Sequence, residues 1–167
     1  AMPTRNFTSG HQPSEDGGAF KMGGTFIREL NTSRGGQTEH ACMPGCLIKC
    51  SNVYVDDTGR EIVSPMEYET ICLLGTNCGL EDPDDVERMN EIANDLGVDS
   101  IELGATIAVL MDAGKGGFGD VSFMKEVTSE MMAGSETGKF YASGTARVGE
   151  NFNLTREPGI GNEAIRA

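Results

Sequence analysis

Residues 82–111 carry two helix signals in succession, and the second is apolar on nearly every face. Asp82 is placed to cap the first helix. Pro83 takes the first helical position, where a missing N–H costs nothing, and Asp84 and Asp85 sit at the positive end of the helix dipole. Val86, Met89, Ala93 and Leu96 recur at helical spacing, and Gly97 is a natural stop. The chain restarts at once from Asp99 or Ser100, with capping-box spacing from Asp99 to Glu102. From Ala105 to Met111 almost no polar face remains. A helix without a polar face has to be surrounded by protein, so this chain is expected to build its core around that segment.

The rest of the sequence supplies the surroundings. A short helix is expected over Thr25–Leu30. Two β-branched runs between Ser51 and Val63 flank Asp56-Asp57-Thr58-Gly59, which reads as a small hairpin. From about Pro65 the pattern turns helical. Gly114–Gly119 is a break, and it lacks the Lys-Ser/Thr ending of a phosphate-binding loop. Asp120 caps a helix with Val121, Met124, Val127 and Met131 inward, ending at Gly134, and a last helix is expected over Thr137–Gly149. Asn153–Ala167 has no clear period. Residues 1–20, rich in Gly, Ser and Pro, read as an extended lead-in, with Ala1 before Met2 a cloning remnant. The expected fold is mainly α, multihelical with one small β-hairpin, and 167 residues suit one domain.

Charge narrows the partners. The net charge is -13, which opposes nucleic acid and anionic membranes. No apolar run reaches the length of a membrane span, and no signal peptide is visible, so a cytoplasmic setting is expected. Five cysteines is an odd number, and three of them fall within nine residues. That is no disulfide framework; it points to metal in a reducing compartment.

Those three are Cys42, Cys46 and Cys50, at i, i+4 and i+8 around Pro44-Gly45. A regular helix would put them on one face, and a loop lets the sulfurs converge. Soft thiolates select iron–sulfur clusters, zinc or Cu(I). A fourth ligand would come from His40, Cys72, Cys78 or a residue outside the chain. The plainer reading is three buried free cysteines acting as small hydrophobes. Two weaker features accompany them. Glu69, between Tyr68 and an apolar run, is a carboxylate suited to work as a base, although most such glutamates are surface residues or caps. At Asn94-Asp95-Leu96-Gly97-Val98-Asp99 a helix ends, turns and restarts, exposing amides and short acidic side chains to a ligand such as a pterin, although helix–Gly–helix turns are common.

Taken in order, these features resemble the aldehyde ferredoxin oxidoreductase family. The resemblance runs from Pro3-Thr4-Arg5-Asn6-Phe7 through the cysteines, Glu67-Tyr68-Glu69-Thr70, Leu74-Gly75-Thr76-Asn77-Cys78-Gly79 and Asn94–Asp99. It closes at Gly104-Ala105-Thr106-Ile107-Ala108 and Phe118-Gly119-Asp120. It implies that residues 1–167 are the middle domain of an enzyme in which two pterins hold tungsten or molybdenum beside one [4Fe-4S] cluster. The first and last domains of the same enzyme would complete the site. Aldehyde and water would become carboxylic acid, with electrons leaving through the cluster to ferredoxin. The resemblance makes Cys42, Cys46 and Cys50 cluster ligands, with the fourth beyond Ala167. It puts Asn94, Gly97, Val98 and Asp99 on a pterin-contacting turn and Glu69 beside the metal. This sequence departs from the family in having three residues, not two, between the first two cysteines. It also has Asn94 in place of aspartate and Val98 in place of leucine.

Two other readings stay open at this point. Related tungsten proteins reduce aromatic acyl thioesters. A zinc-stabilised interaction module would use His40 with the three cysteines. On the oxidoreductase reading, the chain alone is inactive, and its cysteine loop and the 94–99 turn are expected to be unusually mobile or exposed.

Overall fold

The computed structural model describes residues 2–9, 20–154, 159–160 and 163–164. Helix α1 (Gly24–Ser33) precedes three strands, β1 (Gln37–His40), β2 (Ser51–Val55) and β3 (Glu61–Met66). A single turn, α2 (Tyr68–Thr70), then widens into a π-helical turn over Ile71–Gly75 and tightens into a 3-10 turn over Thr76–Cys78. Helices α3 (Pro83–Leu96), α4 (Ser100–Asp112), α5 (Val121–Ala133), α6 (Glu136–Tyr141) and α7 (Thr145–Asn151) follow, then the short pair β4 (Gly159–Ile160) and β5 (Glu163–Ala164). The fold is mainly α, as expected. Among the described residues no helix is long and apolar enough to cross a membrane.

Helix α4 is the centre. Every residue from Leu103 to Met111 is buried, and α3, α7 and the π and 3-10 turns pack around it. The closest approach is at Gly104. A Cβ there would lie 2.5 Å from the Leu73 carbonyl and the Leu74 nitrogen, so only glycine lets the two backbones meet. The Cys78 thiol donates to the Gly104 carbonyl at 3.2 Å across the same contact.

The caps form where the sequence places them. Asp82 accepts from Asp84 N–H at 2.9 Å, and Gly97 ends α3 at φ 70°. Asp99 accepts from Ile101 N–H at 2.7 Å and Glu102 N–H at 3.3 Å. Glu102 also acts at a distance: its carboxylate accepts from Thr145 N–H at 2.7 Å and so caps α7.

Four expectations need correcting. A third strand, β1, joins the hairpin, giving the antiparallel order β1-β2-β3. Strand β3 runs through Pro65 to Met66, and the helical path begins only at Tyr68; β3 is an edge strand, where a missing N–H is tolerated. The last helix is two, α6 and α7, divided at Gly144 with φ 95°. The lead-in is packed at its start. Arg5, Asn6 and Phe7 form a left-handed turn with φ of 47°, 51° and 59°, a conformation that costs energy without glycine. It is held in place from several sides. Arg5 and Asn6 donate their N–H groups to the Thr76 and Asn77 carbonyls at 3.2 and 3.0 Å. The fully buried Asn6 side chain donates to Asp112 at 2.9 Å. Residues 10–19 of the lead-in, and most of the 153–167 tail, lie outside the described residues.

Buried polar side chains fasten the sheet to the helices. Asn31 of α1 donates to the Gln37 and Val53 carbonyls and accepts from Val55 N–H, at 3.2, 2.9 and 3.0 Å. Arg34 grips Asp84 through both nitrogens at 2.6 and 3.1 Å, and Tyr54 donates to the same carboxylate at 2.6 Å. Burial alone would raise the Asp84 carboxyl, but these bonds outweigh it and hold the group below its usual range. Glu87, fully buried, is the opposite case. Burial pushes its carboxyl up to about 8, so it is neutral at neutral pH. Its contribution to stability is complete below the ordinary value of 4.5 and is lost as pH rises through about 8.

The Gly104 contact yields a test. Gly104→Ala should lower the unfolding free energy by about 2 kcal/mol or more, because overpacking here meets backbone that has nowhere to move. Chemical denaturation measures it, and an unchanged midpoint would show that α4 does not lock the π turn.

Candidate functional site

Residues 42–50 leave β1 and return at β2 as a loop, not the regular helix that would have set three sulfurs on one face. Gly45 supplies the positive φ, 84°, that reverses the chain, and Lys49 turns it again at 52°. Cys42 is exposed; Cys46 and Cys50 are half-buried. The Cys46 sulfur accepts from Lys49 N–H at 3.5 Å. The Lys49 and Ile48 amides and the Cys42 thiol together hold Cys46 below the usual thiol range. Desolvation first, then the Cys46 side chain and the charges of Glu67 and Cys50, push Cys42 up. Among the described residues no three His, Cys, Asp or Glu side chains converge on one metal point. His40 does not join the thiols; its Nε2 lies 2.8 Å from Gln37 Oε1. Cys72 and Cys78 are fully buried, and burial pushes both thiols up.

Glu69 is half-buried on α2, the one helical turn before the buried π turn. Such turns widen the helix and re-aim the residues beside them. Thr70, 5% exposed, meets Ser100 hydroxyl to hydroxyl at 2.9 Å. Ser100 opens α4 directly after the 94–99 turn. There Gly97 N–H and Val98 N–H bond back to the Asn94 and Ala93 carbonyls, both at 3.0 Å. Asn94, Gly97 and Asp99 are exposed and Val98 is half-buried. Both bonds that Asp99 makes to its own helix use Oδ1, so Oδ2 keeps acceptor capacity. Val98 and Asp99 also line a cleft of about 210 Å³ with Met131 and Tyr141.

The loop, Glu69 and the turn are connected. Ser51, next to Cys50, donates to the Glu67 carboxylate at 3.0 Å. Cys50 and Tyr68 line one groove of about 320 Å³, floored by Met22, Ile27 and Ile71. The end of the thiol loop thus meets the entry to α2 through Ser51 and Glu67, and α2 meets the start of α4 through Thr70 and Ser100. Sequence reasoning gave no site role to Ser51, Glu67, Thr70 or Ser100. Glu67 and Thr70 lay in the run that carries the resemblance and Ser100 at a helix start, but nothing in the sequence pairs Ser51 with Glu67 or Thr70 with Ser100. The donor chemistry suits the groups implied by the resemblance: thiols with amide donors for an iron–sulfur cluster, and an exposed polar helix–turn–helix for a hydrogen-bonding heterocycle.

Residues 1–160 match the family described as aldehyde ferredoxin oxidoreductase, domains 2 & 3. The tungsten-containing aldehyde ferredoxin oxidoreductase of Pyrococcus horikoshii is 27% identical over 168 residues, covering 90% of this chain and 26% of that protein. The Pyrococcus abyssi protein of the same description is 28% identical over 172 residues, covering 92% and 26%. That of Pyrococcus furiosus is 30% identical over 110 residues, covering 66% and 16%. The chain spans about a quarter of the length of these relatives at most.

The link between Glu69 and the turn is measurable. In a double-mutant cycle, Thr70→Val and Ser100→Ala should show a coupling of about 1 kcal/mol in unfolding free energy, the net worth of one hydrogen bond. Strict additivity would mean that the hydroxyls do not bond.

Proposed function

This chain belongs to the aldehyde ferredoxin oxidoreductase family, and from that premise we propose that it is the middle domain of a cytoplasmic enzyme that oxidises aldehydes to carboxylic acids and passes the electrons to ferredoxin. The first and last domains of the same polypeptide complete its site. The observation that carries the reading is a pair of hydrogen bonds that tie the end of the cysteine loop to the entry of α2, and α2 to the start of α4: Ser51 with Glu67 at 3.0 Å and Thr70 with Ser100 at 2.9 Å.

In this reading Cys42, Cys46 and Cys50 hold a [4Fe-4S] cluster, with a fourth ligand from outside residues 1–167. The Lys49 and Ile48 amides stabilise negative charge on the Cys46 sulfur, the state a cluster ligand requires. Asn94 and the Asp99 carboxylate accept from the N–H groups of a pterin ring, while Gly97 and Val98 bring the backbone up to it. When bound, the bis-pterin tungsten or molybdenum would supply two-electron redox chemistry and the cluster one-electron transfer. Glu69 would take a proton from the attacking water as the water oxygen bonds to the aldehyde carbon and the carbonyl π pair moves onto the carbonyl oxygen. The Thr70–Ser100 bond keeps this carboxylate in register with the pterin-contacting turn. The zinc-module reading loses ground on one observation: His40 is directed to Gln37 and not to the thiols.

Anaerobic reconstitution of the full-length protein with iron and sulfide tests the reading. About four irons per chain are expected, and Cys46→Ser should abolish the cluster absorbance. One zinc and no iron in the natural protein would replace the redox reading with the zinc module.

A further inference from the structure

The cysteine loop carries a second feature that the ligand roles do not use. Among the described residues five large hydrophobic side chains are exposed, and three of them lie in this loop: Met43 at 63%, Leu47 at 93% and Ile48 at 84%. Leu47 and Ile48 stand between the second and third thiols. Two side chains of this size bared to water, next to each other, mark a surface that is covered in the assembled protein. The same loop is one donor short of a four-thiolate site. Cys72 and Cys78 are committed to the core, and His40 is directed to Gln37.

We propose that Leu47 and Ile48 form an apolar seal over the cluster by seating on the segment of the same polypeptide that supplies the fourth ligand. The inference rests on the cluster reading above. Both shortfalls, of apolar cover and of one ligand, fall on nine residues, and one incoming segment satisfies both. Relatives of which this chain spans about a quarter have ample chain to provide it. A second copy of this chain fits less well, because it would bring three more thiols where one is wanted. An anionic membrane surface is opposed by the net charge of -13. Excluding water from the sulfurs slows loss of the metal and sets the reduction potential, both of which depend on the cluster's exposure.

The test uses the full-length enzyme after anaerobic reconstitution. Leu47→Asp and Ile48→Asp are compared with Met132→Asp, an exposed apolar site on α5 that is 61% exposed; Leu47→Ala serves if the aspartates prevent folding. The readouts are iron content, the rate at which cluster absorbance bleaches in chelator, and particle mass. The loop variants should bleach about tenfold faster or more than the natural protein, with Met132→Asp unchanged and the particle mass unaltered. Bleaching at the natural rate would overturn the seal. So would a halved particle mass with unchanged bleaching, which would make the patch a contact between copies. Absence of iron from the natural protein would overturn the cluster reading itself, an outcome distinct from either.

Discussion

The close approach of α4 to the backbone of Leu73 and Leu74 governs the rest of the molecule. It requires that residue 104 have no side chain. Once made, it pins the π turn against the central helix and fixes where α2 must end. Thr70 then falls within reach of Ser100, and Glu69 is held beside the start of α4. The 3-10 turn that follows is pinned by the same contact, through Cys78 and Gly104. It offers the Thr76 and Asn77 carbonyls to the left-handed turn at Arg5–Phe7. A buried contact between two backbones thus organises residues from the N-terminus to Thr145, the residue whose N–H Glu102 caps.

The sheet does a different job. It sends Tyr54, Ile62, Val63 and Met66 into the core and is fastened by side chains with fixed geometry, Asn31 and the Arg34–Asp84–Tyr54 cluster. The loop it presents is open. The helical body is closely packed, whereas Leu47 and Ile48 stand almost fully in water. That division suits the proposed role, in which a rigid base leaves its ligating surface for a partner to complete.

Local signals in the sequence translated faithfully. Asp82, Asp99 and Asp120 cap their helices, and Gly97 and Gly134 end theirs at positive φ; each depends on neighbours within four residues. What stayed hidden is non-local. Gln37–His40 shows no strand pattern, and its pairing depends on β2 and on a buried asparagine from α1. The docking of residues 3–7 joins groups about seventy residues apart. At the site, the density of cysteines was legible and so was the glycine turn. The hydroxyl bond between Thr70, next to Glu69, and Ser100, next to that turn, links residues thirty apart, and no periodicity announces it. Asn94, Gly97 and Asp99 are exposed, as are Cys42 and most of its loop, with Cys46 and Cys50 half-buried; the proposed reading accounts for this by chain outside these residues completing the site.

Anomalous X-ray diffraction from anaerobic crystals of the full-length enzyme is the most direct measurement of the central claim that three separated segments form one redox site. With data collected at the iron, tungsten and molybdenum edges, the account predicts iron within bonding distance of the Cys42, Cys46 and Cys50 sulfurs. It also predicts one tungsten or molybdenum peak bordered by Glu69 and the 94–99 turn. A zinc peak on the cysteines, or a heavy-metal peak remote from Glu69 and Asp99, would contradict it.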